Sequence, residues 1–249
     1  MSSDSKRGEP VTEHYDRLAP HFVQHWAYSP EFVQWMTSRL AHWLDLAPAR
    51  RLLDVGCGPG LYAQRLAAHT SEPITCADPS PEMLAQLAAD PRLHPLRASA
   101  EELAAGEVGV WDAILLKESL HHVAGSKRRA VLHGLACRLA PGGRIVLVMM
   151  PTELDRPMPT SARQRLRQAK FTPDSAAKLL AEAGLTVTTG EENFEVTMPT
   201  TRYAAMIQDR YMTLLHQVEE AELERAIAEL GQQEQLSFQD RYAFITASN

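Results

Sequence analysis

Apolar positions change rhythm twice along the chain. Tyr15, Leu18, Phe22 and Trp26 recur near helical spacing, and Ser29-Pro30 has the form of an N-cap followed by proline at the first helical position. Phe32, Trp35, Met36, Leu40, Trp43 and Leu44 then fall on one face, so two helices are expected before any strand. From residue 51 the pattern becomes a series of short apolar runs: Arg51–Val55, Ile74–Ala77, Leu93–Arg97, Ala113–Leu116 and Arg144–Met150. Helical stretches separate most of them, at Leu61–His69, Pro81–Ala89 and Lys127–Leu139. Runs that are apolar on both faces and alternate with helices predict a parallel sheet covered on both sides. Right-handed crossovers make such a sheet doubly wound.

Beyond Met150 the rhythm changes again. Arg156–Lys170 is polar, with basic Arg156, Arg163, Arg165, Arg167 and Lys170, and reads as a solvated loop. Thr172-Pro173-Asp174 opens a helix that runs to the C-capping Gly184. Leu185–Thr189 and Phe194–Thr197 read as strand pieces. Tyr203, Met206, Ile207, Arg210, Tyr211, Leu214 and Val218 mark an amphipathic helix, and Leu223, Ala226, Ile227 and Leu230 a second. Tyr242, Phe244 and Thr246 alternate with Ala243, Ile245 and Ala247 in a final strand. The expected architecture is a Rossmann-like α/β fold of about seven strands. The sheet is mostly parallel with an antiparallel last strand, with N-terminal helices and a helical insert before that strand. The expected division is a disordered tail over 1–13 and one domain over 14–249. Within that domain, 14–47 form a helical cover, 48–150 the core, 151–236 acceptor-side or lid elements and 237–249 the last strand.

Composition narrows the classes. A chain of 249 residues with 45% hydrophobic content holds one full α/β domain. No run approaches the roughly 18 apolar residues of a membrane span, and the polar start MSSDSKRGEPVTEHYD lacks a secretory apolar core. The net charge of −6 argues against a phosphate-binding protein and so against nucleic acid as substrate. Cys57, Cys76 and Cys137 show no paired spacing and read as reduced thiols of a cytoplasmic protein, and the histidines show no metal-ligand spacing.

The segment Leu52–Gly60, LLDVGCGPG, carries the chemistry. Glycines after a strand let the backbone turn tightly and approach a ligand, and the following helix start favours a carboxylate or phosphate. Asp78 ends the next strand 18 residues past Gly60, where an acid can hold a ribose diol. The spacing is G-x-G-x-G, not the dinucleotide form G-x-G-x-x-G. Asp54 adds negative charge near the loop, which suits a ligand with an ammonium group better than one with two phosphates.

LLDVGCGPG, followed in order by ITCADPSPEML, RASAEEL, WDAILLKESLHHV and LAPGGRIVLV, resembles the motif series of class I S-adenosylmethionine-dependent methyltransferases of small-molecule type over about residues 48–150. The resemblance implies S-adenosyl-L-methionine as cofactor and assigns roles by position. Gly56 and Gly58 would contact the methionine end, Asp54 would orient its amino group, and Asp78 would take the ribose hydroxyls. Met83 would lie against the adenine, with Ser99, Ala100 and Glu101 at its edge. The backbone carbonyl of Lys117 would meet the methionine ammonium. Ser99 and the Lys117-Glu118 pair depart from the family pattern.

Methyl transfer is an in-line displacement, so alignment supplies much of the rate, and an acceptor that loses a proton also needs a base. His121 and His122, just past the fourth run, are base candidates, with a structural role as the competing reading. Tyr15 belongs to a segment resembling the family's closing helix and is the third catalytic candidate. Arg202, Tyr203, Arg210 and Tyr211 are candidate anchors for an anionic or polar small-molecule acceptor. The absence of N-P-P-[YF] argues against methylation of nucleic-acid bases. An RNA- or protein-directed methyltransferase, a nicotinamide-dependent oxidoreductase and a non-catalytic cofactor-binding protein remain as alternatives, and a homodimer is compatible with the sequence.

Overall fold

A short helix α1 (Phe22–Trp26) precedes α2 (Pro30–Leu44), whose start follows from its local sequence. Ser29 Oγ accepts the Phe32 N–H at 3.1 Å, and Pro30 fills the first turn, where no backbone donor is needed. The computed structural model describes Arg17 and residues 19–87, 89–106, 109–231 and 233–249; Tyr15, Leu18 and the tail 1–13 lie outside the described residues.

The apolar runs become β1 (Leu52–Val55), β2 (Ile74–Asp78), β3 (Leu93–Arg97), β4 (Trp111–Lys117) and β5 (Leu139–Met149). Between them lie α3 (Ala63–Leu66), α4 (Pro81–Leu84), α5 (Ala100–Ala105) and α6 (Arg128–Ala136). These strands pair in parallel. Then come α7 (Thr160–Arg167), α8 (Pro173–Glu182), β6 (Thr186–Pro199), α9 (Thr200–Gln208), α10 (Glu220–Glu229) and β7 (Gln235–Ser248). The seven strands form one sheet in the order β3-β2-β1-β4-β5-β7-β6, with β7 antiparallel to both β5 and β6. The order reverses between β1 and β4, and the loops after those strands open at the switch point where doubly wound sheets bind ligands.

Two cores cover the sheet, as its two-faced apolar strands require. One packs α2, α9 and α10 against Leu52, Leu115, Val146 and Phe244; the other packs α5, α6 and α8 against Leu53, Ile114, Leu147 and Ile245. No helix among the described residues is long and apolar enough to cross a membrane.

Four expectations about local structure are corrected. Leu185–Thr189 and Phe194–Thr197 belong to one continuous strand, β6, paired along its length with β7. Gly190, at its centre, leaves room for the Trp43 indole, which would stand 2.7 Å from a Cβ there. The helix expected from Tyr203 to Val218 stops at Gln208, and Arg210 adopts φ +52, a left-handed conformation that turns the chain away. The basic stretch from Arg156 is not a loop throughout, since α7 occupies its centre. Cys137 is exposed, although its sequence surroundings are apolar.

Candidate functional site

At the carboxyl ends of β1, β2 and β4 lies a cavity of about 310 Å³. The glycine loop forms its floor, and Phe22, Trp26 and Tyr62 contribute aromatic walls. Gly56 (φ +75) turns the chain directly out of β1. A Cβ there would meet the Ser119 Cβ at 2.5 Å, so the loop after β4 can approach only because the position is glycine. Ser119 in turn donates through Oγ to the Val55 carbonyl at 2.8 Å, tying the two loops together. A side chain at Gly58 (φ +55) would enter the space between Phe22 and Met83.

Asp78 is buried at the end of β2 and holds the loop from the other side. Its Oδ2 accepts the Gly58 N–H and its Oδ1 the Ser80 N–H, both at 2.9 Å. The residue also lines the cavity, where a carboxylate can accept from a ligand hydroxyl. Ser80 Oγ caps α4 by accepting the Met83 N–H at 3.0 Å, which fixes the buried Met83 against the cavity. Ser99 closes a capping box with Glu102, so its hydroxyl donates to that carboxylate at 2.8 Å and is committed to starting α5. Ala100 and Glu101 follow it along the wall.

The other end of the cavity is charged. Asp54 is buried, and burial together with the negative charge of Asp78 pushes its carboxyl up to about 7, against the pull of Lys117. Lys117, the last residue of β4, carries its Nζ 5.0 Å from the Tyr62 ring centre and 5.4 Å from that of Tyr242, a cation–π sandwich. Burial pulls its ammonium down from the ordinary range, while Glu118, Asp240 and Asp54 oppose the shift. Glu118 is pushed up to about 7, chiefly by burial.

A raised carboxyl has a defined stability sign. Protonated Asp54 contributes fully below the ordinary carboxylate pKa near 3.8, and the contribution is lost as pH rises through about 7, because the unfolded chain releases its proton first. Asp54→Asn is therefore expected to melt above the wild type at pH 8, with a difference that shrinks as pH falls and closes only below about 3.8. Thermal melts across that range check this, and a Tm difference independent of pH counts against the buried-acid assignment.

The expected cofactor residues Asp54, Gly56, Gly58, Asp78, Met83, Ser99, Ala100, Glu101 and Lys117 all line this one cavity. Of the base candidates, His122 lines it and His121 does not. The His121 ring packs 3.9 Å from that of His122, and burial with the nearby Arg128 lowers it to about 4, so it is a poor proton acceptor near neutrality. Tyr15 lies outside the described residues.

None of the four expected acceptor anchors lines the cavity, and each is bonded elsewhere. Arg202 donates to the Gln24, Ala27 and Tyr28 carbonyls, fastening α9 to the segment after α1. Arg210 donates to the Leu215 and Val218 carbonyls and pairs with Glu220. Tyr203 is buried and donates to the Pro157 carbonyl at 2.7 Å; Tyr211 is buried with its hydroxyl 3.1 Å from Arg156. These side chains hold the insert together. The basic stretch is also engaged: Arg165 donates to the Leu214 carbonyl, Arg167 faces Glu153, and Arg156 is 1% exposed in an ion pair with Asp240.

Sequence reasoning missed that pair. Arg156 also reaches the Tyr28 hydroxyl at 3.0 Å, and Tyr242 donates to Asp240 Oδ2 at 2.6 Å. Phe238, Asp240, Tyr242 and Phe244 alternate along β7, so the period of two places the aspartate on the buried face. That signal was present in the chain.

The family model for a methyltransferase domain matches residues 52–143. A ubiquinone biosynthesis O-methyltransferase from Xanthomonas oryzae pv. oryzae is 36% identical over 130 residues, 49% of this chain and 49% of that one. The match thus spans about half the length of the curated relatives. Two solved structures share the fold. A putative methyltransferase from an antibiotic biosynthesis pathway of Anabaena variabilis has TM-score 0.64 at 16% identity, covering 86% of this chain and 96% of its own. The N-methyltransferase NodS of Bradyrhizobium japonicum, in complex with S-adenosyl-L-homocysteine, has TM-score 0.61 at 15% identity, covering 97% and 99%.

Proposed function

We propose that this chain, whose residues 52–143 match the family model for a methyltransferase domain, is an enzyme that transfers a methyl group from S-adenosyl-L-methionine to a small organic acceptor, most simply at a hydroxyl oxygen. The observation that carries the reading is the Asp78 carboxylate, pinned by the Gly58 and Ser80 N–H groups beside a glycine loop that no side chain obstructs.

The residues present fit that cofactor. Asp78 would hold the ribose hydroxyls, with Met83 against the adenine and Ser99, Ala100 and Glu101 at its edge. Gly56, Gly58 and Asp54 would receive the amino-acid end together with the Lys117 carbonyl. An ammonium beside Asp54 would return that carboxyl to its ionised form, so the charge that destabilises the empty fold would be balanced by the ligand. The bound cofactor supplies an electrophilic methyl group on a good leaving group. The chain's own contribution is then alignment and exclusion of water, for which Phe22, Trp26 and Tyr62 are placed.

A small acceptor is supported by the cavity's modest volume and aromatic walls. It is also supported by the O-methyltransferase description of the partly matching relatives. Calorimetric titration of the full chain with S-adenosyl-L-homocysteine tests the reading, with saturable binding at one site expected. No heat with that ligand, together with saturation by a nicotinamide dinucleotide, would overturn it.

A further inference from the structure

We propose that Glu118 is the proton acceptor of this site and that the methyl acceptor is a neutral hydroxyl compound of phenolic or enolic type. The inference rests on the methyl-transfer reading above and adds to it the residue and the substrate class.

Three structural observations converge on Glu118. First, it lines the same cavity as the glycine loop and Asp78. Second, its Oε1 is buried with no hydrogen-bond partner among the described residues. A buried carboxylate oxygen left without a donor is unfavourable, which favours the carboxyl group taking up a proton. Third, its backbone sits at φ +53, a conformation unfavourable for a residue with a Cβ. That conformation is held by the Glu118 N–H on the Val148 carbonyl at 2.9 Å and by Ser119 on Val55. Strain maintained by surrounding bonds is characteristic of positions whose side chain must point to a ligand.

The charged surroundings suit proton transfer. Lys117 and Arg156 face Glu118 from β4 and the segment after β5, and Asp240 faces it from β7. The Met150 backbone N–H donates to the carboxylate. Tyr62 approaches from the start of α3, and His121 Nδ1 stands 3.8 Å from Oε2. Burial outweighs the two cations and raises the carboxyl to about 7, where a general base is most effective near neutral pH. His121, lowered to about 4, adds no competing cation.

The step balances. A lone pair of the acceptor oxygen forms the O–CH3 bond, the S–CH3 bonding pair returns to sulfur and cancels its positive charge, and the O–H proton passes to the Glu118 carboxylate. A neutral hydroxyl is the class that needs this base, because its oxygen becomes cationic on attack unless the proton leaves. An amine acceptor attacks as its free base, and Lys117 and Arg156 beside the carboxylate disfavour storing it as an ammonium.

The test uses two cofactor analogues on the full chain. S-adenosyl-L-homocysteine lacks the methyl group, and sinefungin carries a C–NH3+ in place of the S–CH3. Calorimetric affinities are measured from pH 5.5 to 8.5 for wild type and Glu118→Gln. In wild type, sinefungin is expected to bind about tenfold tighter than S-adenosyl-L-homocysteine at pH 8, equal to about 1.4 kcal/mol. This preference is expected to disappear towards pH 5.5 as the carboxylate takes up its proton. Glu118→Gln is expected to lose the preference at every pH while holding S-adenosyl-L-homocysteine within about twofold of wild type. A pH-independent preference in wild type overturns the proposal without need of the variant. A tenfold loss of S-adenosyl-L-homocysteine affinity in Glu118→Gln overturns it by making Glu118 a cofactor ligand. Failure of wild type to bind either analogue instead removes the methyl-transfer reading, and this inference with it.

Discussion

Asp78→Ala is expected to weaken S-adenosyl-L-homocysteine binding by roughly 10²–10⁴-fold, the loss of two charge-assisted hydrogen bonds worth about 1.5–3 kcal/mol each. The effect is large because the residue acts twice. Its oxygens organise the loop through Gly58 and Ser80 before any ligand arrives, and the same oxygens face the cavity. Removing it also takes away a negative charge that raises Asp54, so the Asp54 carboxyl should titrate lower in the variant. Calorimetry reads the first effect and the pH dependence of Tm the second. Affinity within threefold of wild type would show that Asp78 organises the loop and does not hold a ligand.

Asp240→Ala is expected to destabilise the fold by about 3–5 kcal/mol, because it leaves the Arg156 guanidinium buried and unpaired. For a chain of this size that corresponds to a Tm lower by on the order of 10 °C. Tyr242 loses its acceptor in the same change. Replacing both ends by apolar residues, as in Arg156→Met with Asp240→Leu, is expected to recover most of the loss, since the pair's own desolvation penalty goes with it. Chemical denaturation of the singles and the double separates these terms. A single-variant loss below about 1 kcal/mol, the value of an exposed pair, would contradict the buried network.

The two halves of the chain differ in how much their sequence reveals. The parallel core was legible because its central strands are apolar on both faces and several of its helices open on a capping serine. Ser29, Ser80, Ser99 and Thr172 each cap the helix that follows. The cavity was legible for the same reason, since the residues expected to lie together there fall in short segments at strand ends. The acceptor side was not. Arg202 and Arg210 have the appearance of ligand anchors, yet their partners are backbone carbonyls that only the tertiary fold brings near. Arg156 reads as part of a solvated basic run, and its counter-ion lies 84 residues away. Long-range pairing leaves no local trace, whereas periodicity does, and Asp240 was recoverable from the alternation of β7. Glu118 was concealed differently. It stands in a string whose histidines draw attention first, and the proposal for it rests on a backbone angle and an oxygen without a partner among the described residues, which no sequence displays.

The pairing of β7 carries an evolutionary consequence. Only residues 243–248 of that strand attach to β5, while 235–242 pair with β6 alone, so half of the ribbon is a cantilever projecting past the sheet with α9 and α10 at its tip. Lengthening both arms of the cantilever by two residues would advance the tip by about 7 Å and leave every side chain on its original face. The glycine loop and Asp78 lie on other strands of the sheet, and the ribbon meets their cavity only through its wall, where Arg202 holds the segment beside Trp26 and Tyr242 faces Lys117. The ribbon is thereby a part of the fold that small paired insertions can lengthen without disturbing the pairing of β1, β2 and β4.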